Sequence, residues 1–172
     1  MARTRLFLSL LCFGLAACTP ALNWREVTLE GGELKALLPC KPDTATRAQQ
    51  LGDEAVMLSM AGCEADGALF AVAGIDVGSP ARMEVVQQQW QRQMLENLQG
   101  RVSERTVWTL RGATGNLPVQ RLQIEGIRAD GRAVQAQAIW FSSGRRLYLA
   151  ALYADRITQE MAEPFFSGLE PR

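Results

Sequence analysis

"ALFAVAGIDVGSPARMEVVQQQWQRQMLENLQG", residues 68–100, holds a strand and a helix separated by a single break. In its first nine residues Leu69, Ala71, Ala73 and Ile75 alternate onto one face, and Phe70 and Val72 onto the other. Both faces are therefore apolar, which predicts a strand covered on two sides in the interior of a sheet. Ser79-Pro80 then offers a capping hydroxyl followed by a proline whose missing N–H is harmless in a first helical turn. Met83, Val86, Trp90, Met94 and Leu98 recur at helical spacing until Gly100, predicting an amphipathic helix of about seventeen residues. Its opposite side carries Gln87, Gln88, Gln91, Arg92 and Glu96, the polar surface of a helix laid on a sheet.

Working outward, residues 23–29 and 33–38 flank Gly31-Gly32 and read as a hairpin. Residues 44–51 and 55–63 flank Gly52-Asp53 and read as a second one. Beyond the helix, strands are expected over 101–110, 117–127, 133–141 and 147–153. Asp130-Gly131 and Ser143-Gly144 supply the last two hairpin turns. A short closing helix is expected from Thr158 to about Phe166, docked by Met161 and Phe165. Strands, one long helix, strands and one short helix make an α+β fold with a mainly antiparallel sheet and helices packed on it. Leu38-Pro39-Cys40-Lys41-Pro42, the apolar strand ending at Asp76, Arg146-Leu147-Tyr148-Leu149 and the terminal Phe165-Phe166-Ser167-Gly168-Leu169 resemble the Mog1/PsbP-like family. That resemblance spans nearly all of residues 24–172. It implies an α-β-α sandwich of the kind found in small bacterial lipoproteins of unknown role, and it assigns no functional residue.

The N-terminus supplies an address. Arg3 and Arg5 precede a twelve-residue run, 6–17, that carries no charge and ends in Ala16-Ala17, the anatomy of a signal peptide. A bilayer-spanning helix needs roughly 20 apolar residues, so the run reads as a targeting segment. Leu15-Ala16-Ala17-Cys18 resembles the lipobox of bacterial lipoproteins. The resemblance implies a diacylglyceryl group on the Cys18 thiol and cleavage before it, leaving residues 18–23 as a lipidated tether and 24–172 as one globular domain. In that family an aspartate after the cysteine favours the inner membrane. Thr19 stands there instead and points to the outer membrane of a Gram-negative cell, facing the periplasm.

Removing residues 1–17 leaves 155, enough for one domain with one sizeable core. Sixteen basic side chains then face eighteen acidic ones, so no basic field exists to hold nucleic acid. With Cys12 removed and Cys18 acylated, Cys40 and Cys63 remain as thiols, and an oxidising periplasm predicts one disulfide between them. They lie almost symmetrically about the Gly52-Asp53 turn, near the open end of that hairpin.

The chain contains no histidine, which rules out Ser-His-Asp, Cys-His and His-based metal sites. It has neither a phosphate-binding glycine loop nor an S-x-x-K pattern around its two lysines, Lys35 and Lys41. Neither a cofactor nor a metal is expected. Carboxylates can work without histidine, and Glu64, Asp66, Asp76, Glu125 and Asp130 are available, all but Asp76 in or beside turns. A hydrolase is the least favoured reading. Arg145 and Arg146, with Arg128 and Arg132 on the neighbouring turn, are candidates for a patch that contacts lipid headgroups or a partner. Exposed hairpin tips explain the same residues as solubilising charges. Trp90, Trp108, Trp140, Phe141, Tyr148 and Tyr153 are core candidates, with a ligand pocket as the alternative.

Three functions are therefore expected in order of preference. The first is a lipid-anchored accessory module without catalysis that binds an envelope protein. The second is a carrier for a small apolar or lipid ligand, which requires a concave apolar pocket of several hundred Å³. The third is the hydrolase.

Overall fold

The computed structural model describes residues 21–172 apart from Glu30, Gly32, Asp53 and 115–117. The signal peptide and Cys18 lie outside the described residues. In chain order the elements are β1 (Arg25–Thr28), β2 (Leu34–Leu38), β3 (Asp43–Leu51), β4 (Glu54–Ala65) and β5 (Ala68–Asp76). A 3₁₀ turn (Pro80–Arg82) then leads into α1 (Met83–Asn97). β6 (Arg101–Val107), β7 (Gln120–Ile127), β8 (Ala133–Ser143), β9 (Arg146–Ala154), α2 (Gln159–Ser167) and β10 (Glu170–Pro171) complete the fold.

Seven strands form one antiparallel sheet in the order β3-β4-β5-β9-β8-β7-β6. β5 is interior, as its two apolar faces require. On one face α1 packs Val86, Trp90 and Met94 against Ile75, Leu147 and Leu149. On the other, Phe70, Phe141 and Leu152 lie beneath α2 residues Phe165 and Phe166 and beneath Leu34 and Leu38 of β2. The molecule is thus an α+β sandwich in which the large sheet is covered on both sides.

The opening hairpin does not join the large sheet. β1 and β2 pair with each other, and β10 adds to β2 through Glu170 and Pro171, giving a separate three-stranded sheet beside α2. β10 was not expected from the sequence: two residues carry no periodicity, and the pairing comes from the chain end folding back over the core. The strand expected over 101–110 stops at Val107, and β6 carries a bulge between Val102 and Glu104.

Capping fixes where α1 starts and stops. Ser79 is extended and its Oγ accepts from the Ala81 N–H, with Pro80 opening the 3₁₀ turn. At the other end Gln99, at φ +45°, turns the chain, and the Gly100 N–H donates to the Leu95 carbonyl. Gly100 serves close approach instead, since a Cβ there would sit 3.0 Å from Ile124.

Candidate functional site

α1 lies over one face of the sheet and touches several of its strands. Just before it Arg82 pairs with Glu54 of β4, and in its last two turns Gln93 donates to the Gln50 carbonyl of β3. At its far end the Leu98 carbonyl accepts the N–H of Ile127, where β7 terminates. One helix of fifteen residues cannot cover seven strands. It leaves an uncovered corner over the lower ends of β3, β4, β5 and β9, the ends at Asp43, Ala65, Ala68 and Ala154.

That corner is a groove of about 690 Å³. Its shape follows from side-chain size. Gly62 pairs with Ala71, and Ala71 pairs with Ala151, so three neighbouring strands place their smallest side chains in one row on the α1 side. Met60, Leu69 and Tyr153 stand higher around the row, and Trp90, Met94 and Leu98 of the helix segment form its roof. The floor is largely apolar, and its polar groups sit at the rim: Asp43 and Arg47 on β3, Glu64 on β4, and Gln93 and Asn97 on α1. Tyr153 lies at the open end. Burial pushes its hydroxyl up to about 12, and it makes no hydrogen bond among the described residues.

Cys40 and Cys63 form a disulfide, with Cα atoms 5.9 Å apart. It ties the segment after β2 to β4 at the end where β3 and β4 open. The first described residues lie at this same end, the Asn23 N–H donating to the Pro39 carbonyl.

The four arginines are not gathered into one patch. Arg145 and Arg146 lie at the β8–β9 turn and Arg128 and Arg132 at the β7–β8 turn, and successive turns of a meander fall at opposite ends of the shared strand. The eleven residues of β8 hold the two pairs roughly 33 Å apart. Each is paired locally: Arg145 with Asp76, Arg146 with Glu33, Arg128 with Asp155 and Arg132 with Asp130. The Arg145 guanidinium engages both Asp76 oxygens, at 3.0 and 2.6 Å, and holds that carboxyl below the usual aspartate range. Asp130 is lowered too, first by the backbone N–H of Arg132 and then by its side chain.

The acids considered for catalysis are dispersed. Asp76 lies at the upper end of the sheet, Glu125 pairs with Arg101 on the β6 edge, Asp130 occupies the lower β7–β8 turn, and Glu64 and Asp66 share the β4–β5 hairpin end. No group of three or more Cys, Asp or Glu side chains suited to a metal occurs among the described residues. Of the aromatics, Tyr148 is core, Trp108, Trp140 and Phe141 line a second cavity of about 620 Å³ beside the start of α1, and Trp90 and Tyr153 border the groove. Sequence reading did not locate the groove. Its signal, small residues aligned across three strands, exists only once the pairing register is known.

The fold and groove define a small α+β sandwich with one largely apolar, partly covered sheet face. No family model and no curated protein matches the chain. Among solved structures it is similar to the crystal structure of PA94 from Pseudomonas aeruginosa, a protein of unknown function described as a putative regulator. The identity is 12%, over 63% of this chain and 82% of that one, with a TM-score of 0.38.

Proposed function

We propose that the chain is a Mog1/PsbP-like lipoprotein of the Gram-negative envelope, anchored through Cys18 in the outer membrane and facing the periplasm, that works by binding and not by catalysis. The observation that carries the binding mode is the groove beside α1. Its volume lies within the several hundred Å³ that a small-molecule site occupies, and its polar groups are confined to the rim, as in sites for apolar ligands. A face fully sealed by helices would have argued against a carrier, and this face is not sealed. Binding of a small apolar or lipid ligand is therefore the favoured mode.

A protein partner is the second reading, and a different observation favours it. β3 is an edge strand of nine residues in unbroken register with β4, without proline or bulge, and it is exposed over most of its length. Its outer row of N–H and C=O groups can take an added strand.

Two measurements test the proposal. Intact mass of membrane-extracted protein is expected to show Cys18 as the N-terminus with a diacylglyceryl-sized addition, and a soluble unmodified product overturns the anchor. Organic extraction of the natively isolated Cys18→Ser form is expected to release an apolar small molecule. Release of none, together with a specific protein crosslinked through β3 in intact cells, turns the function to the partner reading.

A further inference from the structure

Around the groove, Asp43, Arg47 and Glu64 have no ion-pair partner among the described residues. Asp43 and Arg47 share the α1-side face of β3, since they pair with Gly62 and Leu58 of β4. Glu64 follows Gly62 on that face, beside Leu69 and Tyr153. The rim thus presents two carboxylates and one guanidinium above an apolar trough.

We propose that this groove holds the acyl chain of a zwitterionic single-chain phospholipid, the chain lying along Gly62, Ala71 and Ala151 with its phosphate toward Arg47 and its ammonium toward Asp43 and Glu64. The inference rests on reading the groove as a site for an apolar ligand, and it adds the ligand class. The three small residues span roughly 10 Å across two strand spacings, a channel one chain wide under Trp90 and Met94. Charge selects the head. A fatty-acid carboxylate meets one guanidinium but two acids, whereas a zwitterion gives the acids a cation and the arginine fork a phosphate. Placement agrees: the first described residues lie at the open end, so with Cys18 as the anchor a tether of residues 18–23 would keep it within roughly 20 Å of the bilayer.

The test uses the full mature chain as Cys18→Ser and an ethanolamine lysophospholipid brominated on its single chain, with Trp90 fluorescence as readout. Saturable quenching is expected, removed by Trp90→Phe. Ala71→Phe, which fills the trough, is expected to weaken binding by at least about tenfold, and the edge substitution Arg47→Glu by about tenfold. Unfolding midpoints confirm that each variant is folded, and Arg47→Glu keeps the test decisive if Ala71→Phe is not. A brominated fatty acid of equal length that binds as tightly, with Arg47→Glu unaffected, overturns the zwitterion assignment and leaves the apolar-ligand reading standing. Absence of Trp90 quenching by either probe overturns both.

Discussion

Two side-chain pairs show how differently close contacts contribute. The Cys40–Cys63 link closes a loop of 23 residues and restricts the unfolded chain, so the double variant Cys40→Ala/Cys63→Ala should lose about 3 kcal/mol of unfolding free energy. Urea unfolding of both forms at one pH measures it, and an unchanged midpoint contradicts it. Asp76 and Arg145 form a two-bond fork, but both are largely solvent-exposed, at 45% and 64%, so screening leaves the pair a small contribution. Its sign is nevertheless fixed. The Asp76 pKa is lowered in the folded state, first by the Arg145 hydrogen bonds. The contribution is therefore complete above the ordinary aspartate value of about 4 and is lost as pH falls through the folded-state value. Asp76→Asn should flatten the fall of stability below about pH 4 and leave a small constant loss at neutral pH. A parallel pH profile in the variant excludes the linkage.

Elements that carry their own period were legible in the sequence, and elements made by tertiary closure were not. β5 and α1 were evident because alternation and helical spacing are local properties, and Ser79-Pro80 marks their break. The two-residue turn at Gly52-Asp53 set the β3–β4 register, and with it the disulfide at the open end. β10 escaped because its two residues pair only through the return of the chain end. The arginine quartet misled because adjacency in sequence hides the alternation of turns between the two ends of a meander. The groove escaped for a related reason: Ala151 is far in sequence from Gly62 and Ala71, and the three align only across strands. One glycine did have a purpose that sequence could not assign. Gly126 lets β7 approach the end of α1, since a Cβ there would lie 2.6 Å from the Leu98 carbonyl oxygen, the acceptor of the Ile127 N–H. Gly126→Ala should push that helix end off the sheet and cost about 1–3 kcal/mol, as overpacking of a close contact does. A thermal unfolding midpoint equal to that of the parent protein sinks this account.

At the scale of the whole molecule the sheet has two distinct ends. The lower end gathers the Asn23–Pro39 contact, the disulfide and the mouth of the groove. The upper end carries the Asp76–Arg145 fork and the segment after β6. Trp24 packs edge-on against Phe70 near the lower end, with ring centroids 5.8 Å apart. Trp108 follows β6 about four residue levels above Phe70, under the Arg121 guanidinium. If Cys18 is the anchor, a tether of only residues 18–23 turns the lower end toward the bilayer, and the four residue levels between Phe70 and Trp108 keep Trp108 roughly 13 Å farther away. The acylated protein in vesicles with nitroxide-labelled headgroups then provides the measurement, with one indole retained at a time. The variant retaining only Trp24 should be quenched strongly and the one retaining only Trp108 weakly. The difference should vanish for the Cys18→Ser form, which has no acyl chain to hold it at the surface. Equal quenching of both indoles in the acylated protein would mean that the domain lies along the membrane with its groove turned sideways, and direct exchange of a lipid between bilayer and groove would lose its geometric basis.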